Sequence, residues 1–286
     1  MILSAISDGF GNQLFMYATA YAAAQRLHTE LWLEQFKLDT SDLRNFELDK
    51  LHITYDRMFS YRGLRWRPLI SAMGKLQRRC LKKKLHRFEE KEIFTYDAAI
   101  LQVKDNTYLR GFWQNHLYFH PYRQQLRKLF TPRVPLGEEH TLWQSRLATP
   151  DSVSVHVRRG DYVQIGCAMA DDYYRNAVKQ MREQHPNCSF FVFSDDTDYA
   201  RGLFERLGVP FTMVQAASPE PTLSDLFLMS YCRHHIIANS SYSWWAAYLG
   251  QDDATVIAPL PDGWPRCFYL PEWQVLAADR APAEQQ

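Results

Sequence analysis

The sequence predicts an α/β protein built on parallel sheets. Three observations carry this. A strand-like run at residues 2–6 is followed by a glycine-rich polar loop, an alanine-rich segment and a second strand-like run, "ELWLE", at 30–34. From residue 151 onward, short apolar runs alternate with amphipathic segments. Polar and glycine residues collect after the apolar runs, at what would be one edge of each sheet. Such alternation implies parallel strands with helices on both faces.

In the first half, "SDGFGNQ" leaves the first strand, and Leu14 to Leu27 reads as a helix. Alanine is the strongest helix former, and Tyr17, Ala18, Tyr21 and Ala22 recur at helical spacing. Residues 57–91 crowd lysine and arginine, opposed by Glu89 and Glu90 alone. They read as a solvated helical face, or as a surface that meets anionic lipid at the inner membrane or a lipid-linked acceptor. "YLRGFWQNHLYF" (108–119) sets aromatics beside Gln114, Asn115 and His116. It is either core or the lining of a sugar site, with Trp113 and Gln114 in contact with the acceptor. Residues 131–151, with Pro132, Pro135 and Pro150, read as a linker between domains 1–148 and 149–286.

The second half is more regular. Strands are expected at 153–157, 189–193, 211–214, 235–238 and 255–258, with helices near 172–184, 197–207, 223–232 and 243–249. Thr222 and Asp225 suggest a capping box for the third of these helices.

Composition limits the function. The 286 residues carry a formal net charge of +1, which argues against a general nucleic-acid binder. The five cysteines include no C-x-x-C pair, so neither a zinc ribbon nor a disulfide framework is expected. The apolar start is too short for a signal peptide, and no apolar run is long enough to span a bilayer. A cytoplasmic protein is expected.

Ligands of open α/β sheets sit beyond the carboxyl ends of the strands. His156 and Val157 lead there into Arg158-Arg159-Gly160-Asp161. Ser194-Asp195-Asp196 follows the next strand, and Asn239-Ser240-Ser241 opens the helix at 243–249. Two arginines at a strand tip can grip a pyrophosphate through charge-assisted hydrogen bonds. The serines and the helix N–H groups offer a second anion seat. Asp195 or Asp196 can accept from a ribose hydroxyl or a guanine N–H edge. This equipment suits a nucleoside diphosphate without a metal. Asp196-Thr197-Asp198 has the spacing of a metal-holding pair, but Asp198 belongs to the following helix. Gly9-Phe10-Gly11-Asn12 is an incomplete dinucleotide fingerprint, since Leu14 stands where the third glycine belongs.

Taken together, "GFGNQLFMYATAYAAA", "HVRRGDYV", "FFVFSDD" and "IIANSSYSWWAAYLG" resemble the bacterial alpha-1,2-fucosyltransferases of glycosyltransferase family 11. "LRGFWQNHLYF" and the closing "VIAP…PEWQVL" are similar to that family as well. The resemblance implies a GT-B arrangement of two Rossmann-like domains with parallel sheets facing a central cleft. It implies inverting, metal-independent transfer of L-fucose from GDP-β-L-fucose to the 2-hydroxyl of a β-galactoside. Arg158 would then contact the diphosphate, with His156, Arg159 and Asp161 in the same motif. Gly11, Asn12 and Gln13 would face the donor, as would Ser194, Asp195, Asp196, Asn239, Ser240 and Ser241. The family more often has glycine where Asp8 stands. Asp8 is therefore an idle substitution or an acid facing the acceptor, and Asp161 is the general base or a brace for the arginine loop. The rivals are a protein O-fucosyltransferase, a non-catalytic nucleotide-sugar or glycan binder, and a glycoside hydrolase using Asp195 and Asp196. Adjacent residues diverge at a strand end and make a poor hydrolase pair.

Overall fold

The structure is a computed structural model and describes residues 1–60 and 85–282. Its internal contacts divide the chain into two units, Met1–Val134 and Pro135–Gln286.

Among the described residues, the first unit holds five parallel strands: β1 (Ile2–Ala5), β2 (Leu31–Glu34), β3 (Arg57–Phe59), β4 (His86–Glu89) and β5 (Thr107–Arg110). Their order is β3-β2-β1-β5-β4, all in parallel register. The chain winds outward one way from β1 and returns on its other side with β5. The switch point, where a crevice opens between diverging loops, lies between those two strands.

Helix α1 spans Phe10–Leu27, starting four residues before the expected Leu14. "GFGNQ" forms the first turn rather than a phosphate-type loop, because the N–H groups of Asn12 and Gln13 both turn back to the Gly9 carbonyl. The helix is buried almost all round, and its alanines allow close approach to the sheet. It ends at His28, whose left-handed φ of 51° directs its N–H to carbonyls of the last turn. The basic stretch 57–91 contributes β3 and β4 where a helical face was expected. Residues 61–84 of it lie outside the described residues. A short helix α2 (Arg123–Leu129) closes the unit.

The expected linker 131–151 contains helix α3 (Glu138–Leu147), which belongs to the second unit. Its Glu139 accepts the Ala217 N–H at 2.7 Å, and its buried His140 meets Ser224 Oγ at 2.8 Å. The boundary therefore falls at 134/135 instead of 148/149. The prolines flank a helix; they do not mark a tether.

The second unit holds six parallel strands: β6 (Ser152–Val157), β7 (Ser189–Ser194), β8 (Phe211–Met213), β9 (His234–Ile236), β10 (Val256–Leu260) and β11 (Gln274–Ala277). The order is β11-β10-β9-β6-β7-β8, so the switch point lies between β6 and β9. β11 was not expected from the sequence. It is short and only partly buried, and it reads weakly. Five helices complete the unit beside α3: α4 (Gly160–Gln164), α5 (Asp171–Gln184), α6 (Thr197–Leu207), α7 (Pro221–Tyr231) and α8 (Ser241–Leu249). Val153, Val155, Phe190, Val192, Leu203, Phe204, Ile236 and Ile257 pack the core between sheet and helices. The capping box at Thr222 and Asp225 does not form. The helix begins at Pro221 after Glu220, with no side-chain cap, and Asp225 faces inward from its second turn.

Candidate active site

The arginine loop leaves β6 at the switch point of the second sheet. Arg158 is ion-paired on both sides, to Asp161 through Nη2 and to Asp195 through Nη1 at 2.6 Å. Its guanidinium also lies 5.1 Å from the Tyr162 ring. Asp195 additionally accepts the Arg159 main-chain N–H at 2.8 Å. One carboxylate at the end of β7 thus holds both the backbone and the first side chain of the arginine motif. Gly160 is required by this arrangement, since a Cβ there would come within 2.5 Å of Asp195 Oδ2.

Arg158 was expected at the diphosphate and Arg159 as its donor-binding neighbour, and the structure gives the two side chains different surroundings. The Arg158 side chain keeps 26% of its surface exposed and Arg159 only 9%. The Arg159 guanidinium packs 3.7 Å from the Tyr199 ring centre, and its Nε stands 3.8 Å from Asp196 Oδ2. Arg158 is presented at the strand tip, whereas Arg159 is folded into the wall behind it.

Three other expected residues serve as scaffold. Ser194 Oγ donates to the Val157 carbonyl at 2.8 Å and accepts the Asp196 N–H, tying β7 to β6. Asp196 caps α6 by accepting the Tyr199 N–H. Ser240 caps α8 by accepting the Tyr242 N–H at 3.3 Å. That cap directs the first N–H groups of α8, beginning at Ser241, outward from the positive end of the helix.

Unpartnered polar atoms mark the space around Arg158. His156 is buried, and its Nδ1 meets no partner among the described residues. Burial, reinforced by the Arg158 charge, lowers its pKa to about 3, so the ring is neutral at physiological pH. Asn239 donates to the Cys167 carbonyl at 2.9 Å, but its buried Oδ1 is likewise unpartnered. The sequence offered Asp225 only as a capping residue. Burial pushes its carboxyl up to about 6, and among the described residues no hydrogen bond or ion pair engages it. Tyr242 links these groups: its ring centre is 5.7 Å from that of His156, and the charges of both Asp225 and Arg158 act on its hydroxyl. The available signal for Asp225 was a lone carboxylate amid Leu223, Leu226, Phe227 and Leu228. Buried polar atoms in native proteins nearly always have partners, so a convergent group without them marks a place for a ligand.

The switch point of the first sheet carries the N-terminal motif. Asp8 is in the left-handed region at φ 66°, a conformation that favours glycine, and its carboxylate meets Lys37 Nζ at 2.8 Å. Gly11 is buried in the first turn of α1. Gln13 is fully buried and committed to the main chain: its Nε2 donates to the carbonyls of Asp8 and Asn45, and its Oε1 accepts the Glu47 N–H. It shapes the loop that was expected to face the donor. Asn12 Oδ1 accepts from Gln114 Nε2 at 2.6 Å, joining the loops after β1 and β5. Trp113, expected to touch the acceptor, is instead wholly buried and stacks on Phe88 at 5.7 Å. Its φ of 57° turns the ring inward. Glu90 holds this loop by accepting the N–H groups of Phe112 and Trp113 at 2.7 and 2.9 Å. Burial raises its pKa, and the two N–H groups offset that in part.

Two parallel α/β sheets, each with its polar motifs at its own switch point, have the architecture of the GT-B fold. A variant of Arabidopsis thaliana FUT1 in complex with GDP shares the fold with a TM-score of 0.51 at 12% identity, over 90% of this chain and 69% of that one. The family 9 glycosyl transferase from Veillonella parvula does so with a TM-score of 0.50 at 9% identity, over 97% and 85% of the two chains. The chain belongs to glycosyl transferase family 11, whose profile matches residues 69–277. An alpha-1,2-colitosyltransferase of Escherichia coli is 32% identical over 91% of this chain and 92% of that enzyme. The O-antigen biosynthesis glycosyltransferase WbnK of Escherichia coli is 28% identical over 90% and 93%. Galactoside alpha-(1,2)-fucosyltransferase 1 of Homo sapiens is 28% identical over 96% of this chain and 74% of that one. Among the described residues, no helix is long and apolar enough to cross a membrane.

Proposed function

We propose that the protein transfers L-fucose from GDP-β-L-fucose to the 2-hydroxyl of a terminal β-galactoside, in an oligosaccharide or O-antigen repeat. The observation that carries this reading is the pair of unpartnered atoms at the arginine loop's strand edge, His156 Nδ1 and Asn239 Oδ1, together with the Asp225 carboxylate, whose charge acts with that of Arg158 on the Tyr242 hydroxyl. A diphosphate fits the Arg158 guanidinium and the α8 N-terminus. A nucleoside with N–H and hydroxyl donors fits the Asp225 and Asn239 oxygens.

In the proposed reaction the galactoside oxygen attacks the anomeric carbon from the face opposite the nucleotide. The C–O bond to the β-phosphate breaks with inversion, and GDP leaves with the electron pair. Negative charge builds on the departing phosphate oxygens. Arg158, already braced by Asp161 and Asp195, meets that charge without reorganising. This supports a metal-independent mechanism. The hydroxyl proton passes to a carboxylate, Asp8 or Asp161, and the pH profiles of Asp8→Asn and Asp161→Asn distinguish them.

The test is incubation with GDP-fucose and lactose, Gal-β1,3-GalNAc or Gal-β1,4-GlcNAc, with the linkage read by NMR. A new α-1,2 linkage on at least one acceptor is expected. Failure to form product or release GDP with all three would sink the reading. A colitosyl donor is the second reading, favoured by the 32% identical relative, and the same acceptors with that donor decide between the two.

A further inference from the structure

We infer that Phe112 is the platform on which the apolar face of the acceptor sugar stacks, with Glu90 as its positioning residue. This rests on the acceptor being a glycoside, as proposed above. The sequence pointed to Trp113, but that ring is wholly buried against Phe88. Its neighbour is the opposite case. Phe112 is partly exposed, and among the described residues no aromatic ring or cation stacks on it. It lies on the loop leaving β5, at the switch point of its sheet, where open α/β sheets take ligands.

The loop is held rigidly. Glu90 grips the N–H groups of Phe112 and Trp113 with both oxygens. Gly111 permits that approach, because a Cβ there would come within 2.4 Å of the Glu90 Cβ. Trp113, in its left-handed turn, pins the loop from below. Gln114 then reaches Asn12 at 2.6 Å. One short loop thus carries an aromatic ring with no stacking partner among the described residues and, two residues on, a carboxamide that pairs with Asn12. A pyranose needs both: polarised C–H groups on one ring face meet the negative face of an aromatic, while its hydroxyls bond to amides.

The test uses Phe112→Ala, Phe112→Trp and Glu90→Gln in the full-length protein, with Tm as a control on folding. Acceptor KM and donor KM are measured separately, and saturation-transfer NMR with methyl β-galactoside reads binding without turnover. Phe112→Ala is expected to raise the acceptor KM about tenfold and weaken the NMR effect, with donor KM within about twofold, as loss of one aromatic contact dictates. Phe112→Trp should retain binding, since it keeps a stacking face. Glu90→Gln, which keeps one acceptor oxygen and loses the other, should shift the acceptor KM in the same direction and less. Unchanged acceptor KM and NMR effect in Phe112→Ala overturn the inference, as does an equal shift in donor KM. If the wild type binds the galactoside but transfers nothing to it, the functional reading fails alone, and the NMR comparison still decides this one. A wild type that neither binds nor transfers overturns both.

Discussion

Asp195 Oδ2 lies 2.6 Å from Arg158 Nη1, so the carboxylate ending one strand fixes the guanidinium at the tip of the next. The same carboxylate accepts the Arg159 N–H. The arginine motif and the "SDD" motif, 37 residues apart from Arg158 to Asp195 (195 − 158), are therefore one device. Its purpose in the proposed reaction is to hold a cation ready for a leaving phosphate.

Arg158→Ala removes that cation. Loss of one preorganised donor typically costs about 2.7–4 kcal/mol of transition-state stabilisation, so kcat should fall about a hundredfold or more. Circular dichroism should stay that of the wild type, and Tm should fall only by the loss of two partly exposed ion pairs. A folded variant with normal turnover removes Arg158 from the mechanism.

Gly160→Ala pushes a methyl to within 2.5 Å of Asp195 Oδ2 and must displace it. Turnover should fall as in Asp195→Ala. Combining the two should cost little more than Asp195→Ala alone, because contacting residues are not additive. Fully additive losses in kcat would show that the glycine acts elsewhere.

Asp225 holds its proton more tightly folded than unfolded, with a pKa raised to about 6 from 3.8. Its stabilising contribution is therefore full below 3.8 and lost as pH rises through about 6. The difference is of order 3 kcal/mol. Asp225→Asn should raise Tm at about pH 8 relative to the wild type, and do so less at about pH 5. If the carboxylate receives the nucleoside, as proposed, the same variant should bind GDP more weakly in calorimetry. Equal Tm differences at both pH values contradict the burial argument.

His156 and His235 are both buried neutral, with pKa values near 3 against an ordinary 6.5. Their stability contribution is present above 6.5 and lost as pH falls toward 3, because the unfolded chain binds the protons. Each supplies a slope of up to about 1.4 kcal/mol per pH unit, whereas Asp225 supplies one such slope of opposite sign. His234, lowered to about 4, adds to them, while Glu90, whose pKa is raised, acts with Asp225; the three histidines prevail, so Tm should fall as pH drops from about 6 to 4. A flat or rising Tm there would contradict this.

Chelation tests the cation clamp directly. Millimolar EDTA should leave transfer from GDP-fucose unchanged if Arg158 and the α8 N-terminus neutralise the phosphates. Activity lost to EDTA and restored by Mg²⁺ or Mn²⁺ would replace the arginine mechanism with a metal.

The strand-tip motifs were legible because a parallel strand delivers its next residues to the same edge every time. Arg158, Asp195, Asn239 and Ser240 could be placed there by counting alone. Spacing along the chain could not show that Arg159 turns inward to Tyr199, that Gln13 is consumed by three main-chain groups, or that Trp113 is core while Phe112 is not. Those outcomes depend on φ at single residues and on partners tens of residues away.

By itself, the sequence determined the alternation of strand and helix, the parallel sheets and the edge where the chemistry gathers, since periodicity and turn residues are local properties. Tertiary structure alone decided which of those polar groups remain available. A side chain's burial and its hydrogen-bond partners are set by whichever distant segment packs against it. That is why Asp225, taken for a capping residue in the sequence, emerges as a largely buried carboxylate with no partner among the described residues, its charge acting on Tyr242.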